Sequence, residues 1–455
     1  MKFTPVLDKG FAPAFSAIED FQKKVGESGQ KNKVVFAVER NDGYNYIFEL
    51  DAFSDGVNDA YNIKIADRLV KSVLWIVGGY KIYVAGSRVL YEYFKKAYSI
   101  DGARRFDTQF MSGIYEKEFS VVECDYAGIP ARKTCFMPIG GHFDGCRIGF
   151  DAGGSDRKVS AVIDGKAVYS EEVIWHPKLE SDPTYHYNEI KKAFKTAASH
   201  LPRVDAIGVS SAGIYINNRI MAASLFVKVG KEDFDKKVKN MYVDIAKEFF
   251  APLEVANDGD VTALCGSMEL KDNRVLGIAM GTSEAAGYIN SGGGLNGWLS
   301  ELAFVPVDFN ENAAIDEWSG DYGCGVKYFS QDGVIKLATA GGYQFADGLT
   351  PAEKLKVIQK EVENNSPLAE TVFSDLGIYL GYTLPYYAMF YDIKHVMLLG
   401  RVMSGRGGEI IINKAKEVIK EEFPALSKIN IYLPDEKSRR VGQSVAAASL
   451  PKRRE

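Results

Sequence analysis

Several things are scarce in this chain, and each scarcity removes a class of function. Its 455 residues include only five cysteines, at 124, 135, 146, 265 and 324. The number is odd and no pair has CxxC spacing. A disulfide framework is therefore not expected, and the cysteines read as reduced core thiols. There is no long apolar run. The most apolar window, LVKSVLWIVGGYKIYVAG at 69–86, is interrupted by Lys71, Lys81 and a Gly78-Gly79 turn. It reads as a buried helix followed by a strand, not a membrane span. The opening MKFTPVLDKGFAPAFSAIED lacks the unbroken apolar core of a signal peptide, so a cytoplasmic protein without membrane attachment is expected. Nor is there an excess of positive charge: 55 Lys and Arg against 60 Asp and Glu give a net −5, which argues against a nucleic-acid partner. The basic tail PKRRE at 451–455 is short and reads as a solvated terminus. Fixed-period repeats and low-complexity tracts are absent.

What is present is ordinary globular composition, 46% hydrophobic and 25% charged, over a length that suits two or three domains. The Gly-rich stretch PIGGHFDGC at 138–146 divides the chain near residue 145. Before it, KVVFAVER and YNYIFELDA read as strands joined by the turn NDGY, followed by the helix NIKIADRLVKSVLWIVGG, the strand YKIYVAG and the helix SRVLYEYFKKAYS with Ser87 as its cap. This is a small α/β or α+β unit without recognisable chemistry. Its aromatics at 91, 93, 94 and 98 have near-helical spacing and belong to a core. After residue 145, RIGFDAGG, KVSAVIDG and KAVYSEEV predict a three-stranded meander, DAIGVSSAGI a strand entering a glycine turn, KEDFDKKVKNMYVDIAKEFF one helix, and LEVANDGDVTALCGSMEL a strand, a turn and a helix. The order then restarts: RVLGIAMGTSEAAGYINSGG predicts a second hairpin, later followed by the strand HVMLLG and a helix from about 409 to 421. Two halves each open with a hairpin whose turn is rich in glycine and hydroxyls.

Such a turn can point backbone N–H groups and a hydroxyl at phosphate oxygens, with glycine allowing close approach and positive φ. DAGGS (151–155) and MGTS (280–283) both have this form, which is also that of an ordinary hairpin turn. Asp151, ending a strand beside the first turn, is placed either to hold Mg²⁺ or to cap its own turn. In VANDGD (255–260) a strand delivers Asn257, Asp258 and Asp260 to its carboxyl end, where ligands of α/β sheets bind. A carboxylate there can take the proton of an attacking hydroxyl, and Asn257 can orient that hydroxyl; the other reading is an Asx cap of the next helix, and one of these acids is expected to make it. GGGLNGWLSELAF (292–304) leads to Glu301, which is either an acceptor for two polyol hydroxyls or a loop acid. HVMLLGRVMSGRGG (395–408) is a nucleotide cradle or a plain connection.

In this order, the five elements resemble the sugar kinases of the ROK family (repressor, open reading frame, kinase), within the actin-like, hexokinase-like ATPase superfamily. The family's D-I-G-G-T is D-A-G-G-S here, E-N-D-A-N is A-N-D-G-D at 256–260, G-T-G-x-G-x-G is G-T-S-E-A-A-G at 281–287, G-E-x-G-H is S-E-L-A-F at 300–304, and L-G-G-x-x-S is L-G-R-V-M-S at 399–404. The closing RRVGQSVAAASL resembles the family's final helix. The resemblance spans about residues 146–450. It implies two ribonuclease-H-like lobes, 146–265 and 266–455, around a cleft that binds ATP and Mg²⁺ above a hexose or aminohexose. Residues 1–145 stand outside it as an oligomerisation module, a lid or a specificity domain, and a homodimer is one open assembly.

By position, the resemblance makes Asp258 the catalytic base and gives Asn257, Glu301 and Ser224 (in AASLF) to the sugar. Asp151, Gly153, Gly154, Ser155, Gly281, Thr282, Ser283 and Gly400 face phosphates, nucleotide or, for Asp151, Mg²⁺. The family often builds a zinc site from its motif histidine and several cysteines. Here Phe304 and Cys324 hold those positions, and no zinc is expected. Ser283 and Glu284 narrow the second phosphate turn, Glu284 adds a negative charge, and Arg401 replaces a glycine near the adenine position. The leading expectation is phosphorylation of a sugar hydroxyl by ATP. The alternatives are a non-catalytic sugar sensor without a DNA-binding domain, and a different enzyme of the superfamily, such as an acid-sugar or acetate-type kinase.

Overall fold

A computed structural model of the chain describes residues 1–434 and 436–453, with side chains outside 435–441. The last two residues of PKRRE and the opening residues of RRVGQSVAAASL as side chains lie outside the described set. Strands β1 (Lys31–Glu39) and β2 (Asn45–Phe53) pair antiparallel across the NDGY turn, where Asp42 and Gly43 adopt positive φ. The helix Asp59–Ile76 leads to β3 (Lys81–Ala85), and β4 (Ser120–Glu123) lies parallel to it, in the order β2-β1-β3-β4. Ser87 caps the helix Arg88–Ala97, its Oγ accepting from Leu90 N at 3.2 Å.

The second sheet begins with the meander β5 (Cys146–Ala152), β6 (Asp156–Ile163) and β7 (Lys166–Ile174). Parallel to β5 runs β8 (Ala206–Ser211). A small ribbon follows, β9 (Ile214–Ile216) with β10 (Arg219–Ala222), and then β11 (Leu253–Asn257) lies parallel to β8. Every residue of β5 is buried, because it lies mid-sheet with neighbours on both edges and cover on both faces; hence its apolar run in place of alternation. The third sheet repeats the plan in shorter form: β12 (Val275–Met280) and β13 (Glu284–Ile289) make a hairpin, and β14 (His395–Leu399) and β15 (Asn430–Tyr432) add in parallel. These are two ribonuclease-H-like lobes.

One expected helix is interrupted. The stretch 231–247 is helical at Lys231–Asp233, widens to a π-turn at Phe234–Val238 and resumes at Met241–Lys247. The carbonyl of Lys239 is drawn out of the helix ladder to accept Ile220 N of β10 at 2.9 Å. The expected turn after β11 is absent too: the helix Asp258–Leu270 starts on the residue that follows the strand.

Packing joins the parts in an order that chain position does not suggest. The first lobe has its own core, from Ile148 to Val255. Residues from the N-terminal region (Phe11, Val34, Trp75, Met111) and the second lobe (Leu276, Tyr379, Tyr386) instead belong to one continuous core. Within it lies a buried charge network. Asp321 accepts from both Arg68 Nη atoms, at 2.8 and 3.0 Å, from Lys71, and from Arg104 at 2.6 Å; Arg104 also pairs with Asp67. The closing helix Glu436–Ala448 crosses back to the first sheet. It lies so close that a Cβ on Gly149 or Gly208 would sit 1.7 Å from the carbonyl oxygens of Ser444 and Ala447, so both positions require glycine.

Candidate functional site

Four carboxylates gather at the carboxyl ends of β5, β8 and β11 and at the facing edge of the second lobe. The parallel register aligns Asp151 with Ser210 and Ser210 with Ala256, so Asp151 and the end of β11 share one rim. Asn257 takes the helix cap: its Oδ1 accepts Gly259 N at 2.7 Å, and its Nδ2 donates to Gly213 O at 2.7 Å. With the amide capping, Asp258 and Asp260 stand in the first helical turn, where the helix dipole favours negative charge; of the two, Asp260 lines the cavity between the lobes. Asp260 Oδ1 accepts Tyr288 N of β13 at 3.2 Å. Glu301 is carried by the second lobe but anchored by the N-terminal region: Ser300 N and Glu301 N donate to Ile76 O and Trp75 O, each at 2.9 Å.

Burial raises the pKa of all four acids, and the charge of Asp258 adds to the rise at the other three. Burial is the main cause for Asp151, which is only 7% exposed and pushed up to about 6; the Ser210 hydroxyl opposes the rise and the Asp258 charge adds to it. Burial lifts Asp258 above the usual carboxylate value, against the Gly259 N–H. Burial lifts Asp260 to about 7, opposed by Tyr288 N–H and aided by the charges of Asp258 and Glu301. Burial and then Asp258 lift Glu301 to about 7. Among the described residues no Lys, Arg or His forms a salt bridge with any of the four. Nor do three His, Cys, Asp or Glu side chains converge as a ready metal cage among the described residues. Buried acids without cations make a site that gains most from an electropositive guest.

The two glycine turns close the hairpins of their lobes. Gly153, Gly154 and Gly281 have no positive φ, so the expectation that conformation demands glycine there is corrected. A Cβ on Gly153 would lie 2.7 Å from Asp156 O, so close approach demands it. On Gly154 it would meet only the end of Lys178, at 3.1 Å, and on Gly281 nothing nearer than Ser283 O at 3.8 Å. Gly281 therefore serves neither backbone geometry nor packing, and the open space above its turn is what a side chain would fill. Lys178 sets an ammonium over the first turn. Ser155, Thr282 and Ser283 are exposed. Gly400, at φ 95°, packs on Met280 just before the second turn and lines a cavity of about 160 Å³ with Thr262, Leu399 and Gln443.

Other placements differ from expectation. Ser224 is exposed in the 3₁₀ turn Ser224–Phe226 and does not line the inter-lobe cavity. Glu284 points away from the second turn. It is 3% exposed, its Oε1 accepts from Tyr387 OH at 3.3 Å, and burial pushes it up to about 8. The charge foreseen beside the phosphates is thus absent at neutral pH. The cavity between the lobes measures about 60 Å³. Asn257, Asp260, Gly213 and Trp298 line it, as do Asn41 and Tyr115 from the N-terminal region.

A sequence model of the ROK family matches residues 147–428, more than half of the chain. The chain belongs to the ROK family. Among solved structures, this ROK protein is similar to a ROK family transcriptional regulator, a homologue of the E. coli MLC protein, with a TM-score of 0.54 and 17% identity over 68% of this chain and 79% of that one. It is also similar to a ROK hexokinase from Thermus thermophilus, with a TM-score of 0.53 and 16% identity over 67% of this chain and 96% of that one. At such identities the likeness is one of fold. A search of curated proteins gave no match.

At Phe304, which stands where the ROK pattern has a histidine, and at Cys324, the one cysteine retained from the pattern's cluster, the N-terminal region fills the space. Phe304 packs on Trp75, ring centroids 4.2 Å apart, with Phe106 beside them at 5.8 Å. Cys324 is fully buried, its Sγ 3.7 Å from Lys71 Nζ in the charge network. Asn41, Tyr115, Lys178 and the carbonyls of Trp75 and Ile76 carried no signal in the sequence. Each meets the site only through chain segments distant from the ROK motifs.

Proposed function

We propose that this ROK protein is a kinase that transfers the γ-phosphoryl group of ATP to a hydroxyl of a hexose or aminohexose. The observation that carries this reading is the cluster of Asp151, buried, and Asp258, Asp260 and Glu301, half-buried, none of which forms a salt bridge among the described residues. Asp258 acts as general base. Burial raises its pKa above the ordinary carboxylate value, which strengthens it as a proton acceptor. Glu301 accepts sugar hydroxyl hydrogen bonds, and the remaining Nδ2 hydrogen of Asn257 donates to another. Ser224, Asp258 and Glu301 all lie outside the lining of the closed cavity, so each reaches a sugar only as the lobes part.

The turns at 153–155 and 281–283 hold phosphates through backbone N–H groups, helped by Lys178, and Asp151 is the side chain for Mg²⁺. One or two carboxylates with phosphate oxygens suit that ion better than an all-protein cage. When bound, Mg²⁺ supplies neutralisation of phosphate charge. The 60 Å³ cavity is too small for a hexose, so the lobes part to admit it.

The test is ADP release from ATP-Mg²⁺ over hexoses, aminohexoses and acid sugars, with Asp258→Asn beside the native chain. Sugar-dependent turnover that falls by roughly 10² or more in the variant supports the base assignment. The second reading, a non-catalytic sugar sensor, is favoured by the similarity to a regulator of the same fold. Sugar binding without ADP release would establish it.

A further inference from the structure

A second pocket lies on the far side of Trp298 from the inter-lobe cavity. It measures about 570 Å³ and is built by the β1–β2 hairpin, the 132–136 segment and the 290–298 loop. Three cations line it and no carboxylate does. Arg132 and Lys133 are exposed at its mouth, and Arg40 lies at its base, only 4% exposed. Among the described residues none of the three forms a salt bridge, in a chain whose net charge is −5. Arg40 spends its Nη atoms on the carbonyls of Val77 and Gly297, and its buried Nε has no partner. A buried guanidinium N–H without an acceptor is costly unless something supplies one.

The rest of the lining suits a polyol. Tyr44, Tyr46 and Trp298 present ring surface, Trp298 standing edge-on to Tyr46 at 5.7 Å. Asn296 and Thr134 add an amide and a hydroxyl. Aromatic faces pack on sugar C–H surfaces, amides and hydroxyls pair with sugar hydroxyls, and arginine with lysine takes a phosphate or carboxylate. The volume is within the range of small-molecule sites.

We propose that this pocket binds an anionic carbohydrate, a sugar phosphate or an acid sugar, at a site separate from the inter-lobe cavity and sharing only the Trp298 wall with it. The inference does not require phosphoryl transfer, since it concerns binding alone.

Calorimetric titration of the full chain tests it, with glucose 6-phosphate, glucuronate, glucose, AMP and inorganic phosphate as probes. The proteins are the native chain, the double variant Arg132→Ala/Lys133→Ala, and Asp258→Asn. Both altered cations are exposed, so the double variant keeps its core. Glucose 6-phosphate or glucuronate should bind the native chain and Asp258→Asn alike, and the double variant roughly tenfold more weakly, the loss of about one charge-assisted hydrogen bond. Whichever of the two binds identifies the source of the anion. The proposal is overturned if neither binds, if AMP or inorganic phosphate binds as tightly and is weakened as much by the double variant, if the double variant is unaffected, or if Asp258→Asn abolishes binding and so locates it in the inter-lobe cleft.

Discussion

Replacing Asp260 by Asn should make the protein more stable, by an amount that grows as pH rises from about 4 and levels off above about 7. The carboxyl stands among Asp258 and Glu301 with no cation, and its folded pKa is about 7 against an ordinary 3.8. The raised pKa means that the fold favours the protonated form. Its contribution is intact below about pH 4, where the group is protonated folded or unfolded, and is lost as pH rises toward 7. From pH 5 to the folded pKa is about two units, and at about 1.4 kcal/mol per unit the native chain loses about 3 kcal/mol that the amide does not. Asn keeps the one hydrogen bond Asp260 accepts, from Tyr288 N, because Oδ1 is retained. Urea denaturation of both proteins at pH 5 and pH 8 measures this. The stability gap should widen in favour of Asp260→Asn by about 3 kcal/mol between the two pH values. A gap that stays constant, or a variant less stable at pH 8, would refute the picture of uncompensated buried acids.

Three further outcomes follow from the packing. Asp321→Ala removes the shared partner of Arg68, Lys71 and Arg104 and should cost about 3–5 kcal/mol in urea denaturation; a loss below about 1 kcal/mol would contradict the network. Although burial would raise Asp321, those three cations hold it well below the usual carboxylate range, so its contribution is full above about pH 4 and fades only in stronger acid. Gly149→Ala drives a Cβ to 1.7 Å from Ser444 O and should loosen the closing helix, read as faster limited proteolysis near the C-terminus at a cost of about 1–3 kcal/mol or more. Glu284→Gln should leave ATP-Mg²⁺ affinity and pH 7 stability nearly unchanged, because Glu284 is turned inward and protonated there, and should stabilise the protein above its pKa of about 8; a large loss of ATP affinity would place the side chain in the cleft.

Local pattern carried a large share of the fold. The β1–β2 hairpin, the 146–174 meander, the β12–β13 hairpin and the Ser87 cap were legible because each depends on residues within about a dozen positions, and hairpins and caps are set by turn chemistry and hydrophobic period. The strand-end acids were legible for the same reason: Asp151 and Asp258 follow directly on apolar strands. The sequence pointed to one of the acids Asp258 and Asp260 as the helix cap, and the structure corrects this: the cap is Asn257, whose Oδ1 accepts Gly259 N.

What the chain order could not express is set by contacts hundreds of residues apart. The N-terminal region looked like a separate unit, yet Trp75 and Ile76 hold Glu301 in place and Lys71 meets Asp321. The glycines at 149 and 208 looked like ordinary strand residues until the closing helix came to rest on them. Glu284 looked like a liability beside phosphates, but its direction depends on Tyr387 and the space at Gly325, neither of which is near it in sequence. By itself, then, the sequence determined the family, the two repeated hairpins and the acids at the strand ends, all properties of short segments. Only the tertiary structure decided how the first 145 residues wall the cleft and which charges stay unpaired, because burial and pairing belong to the surroundings that distant segments create.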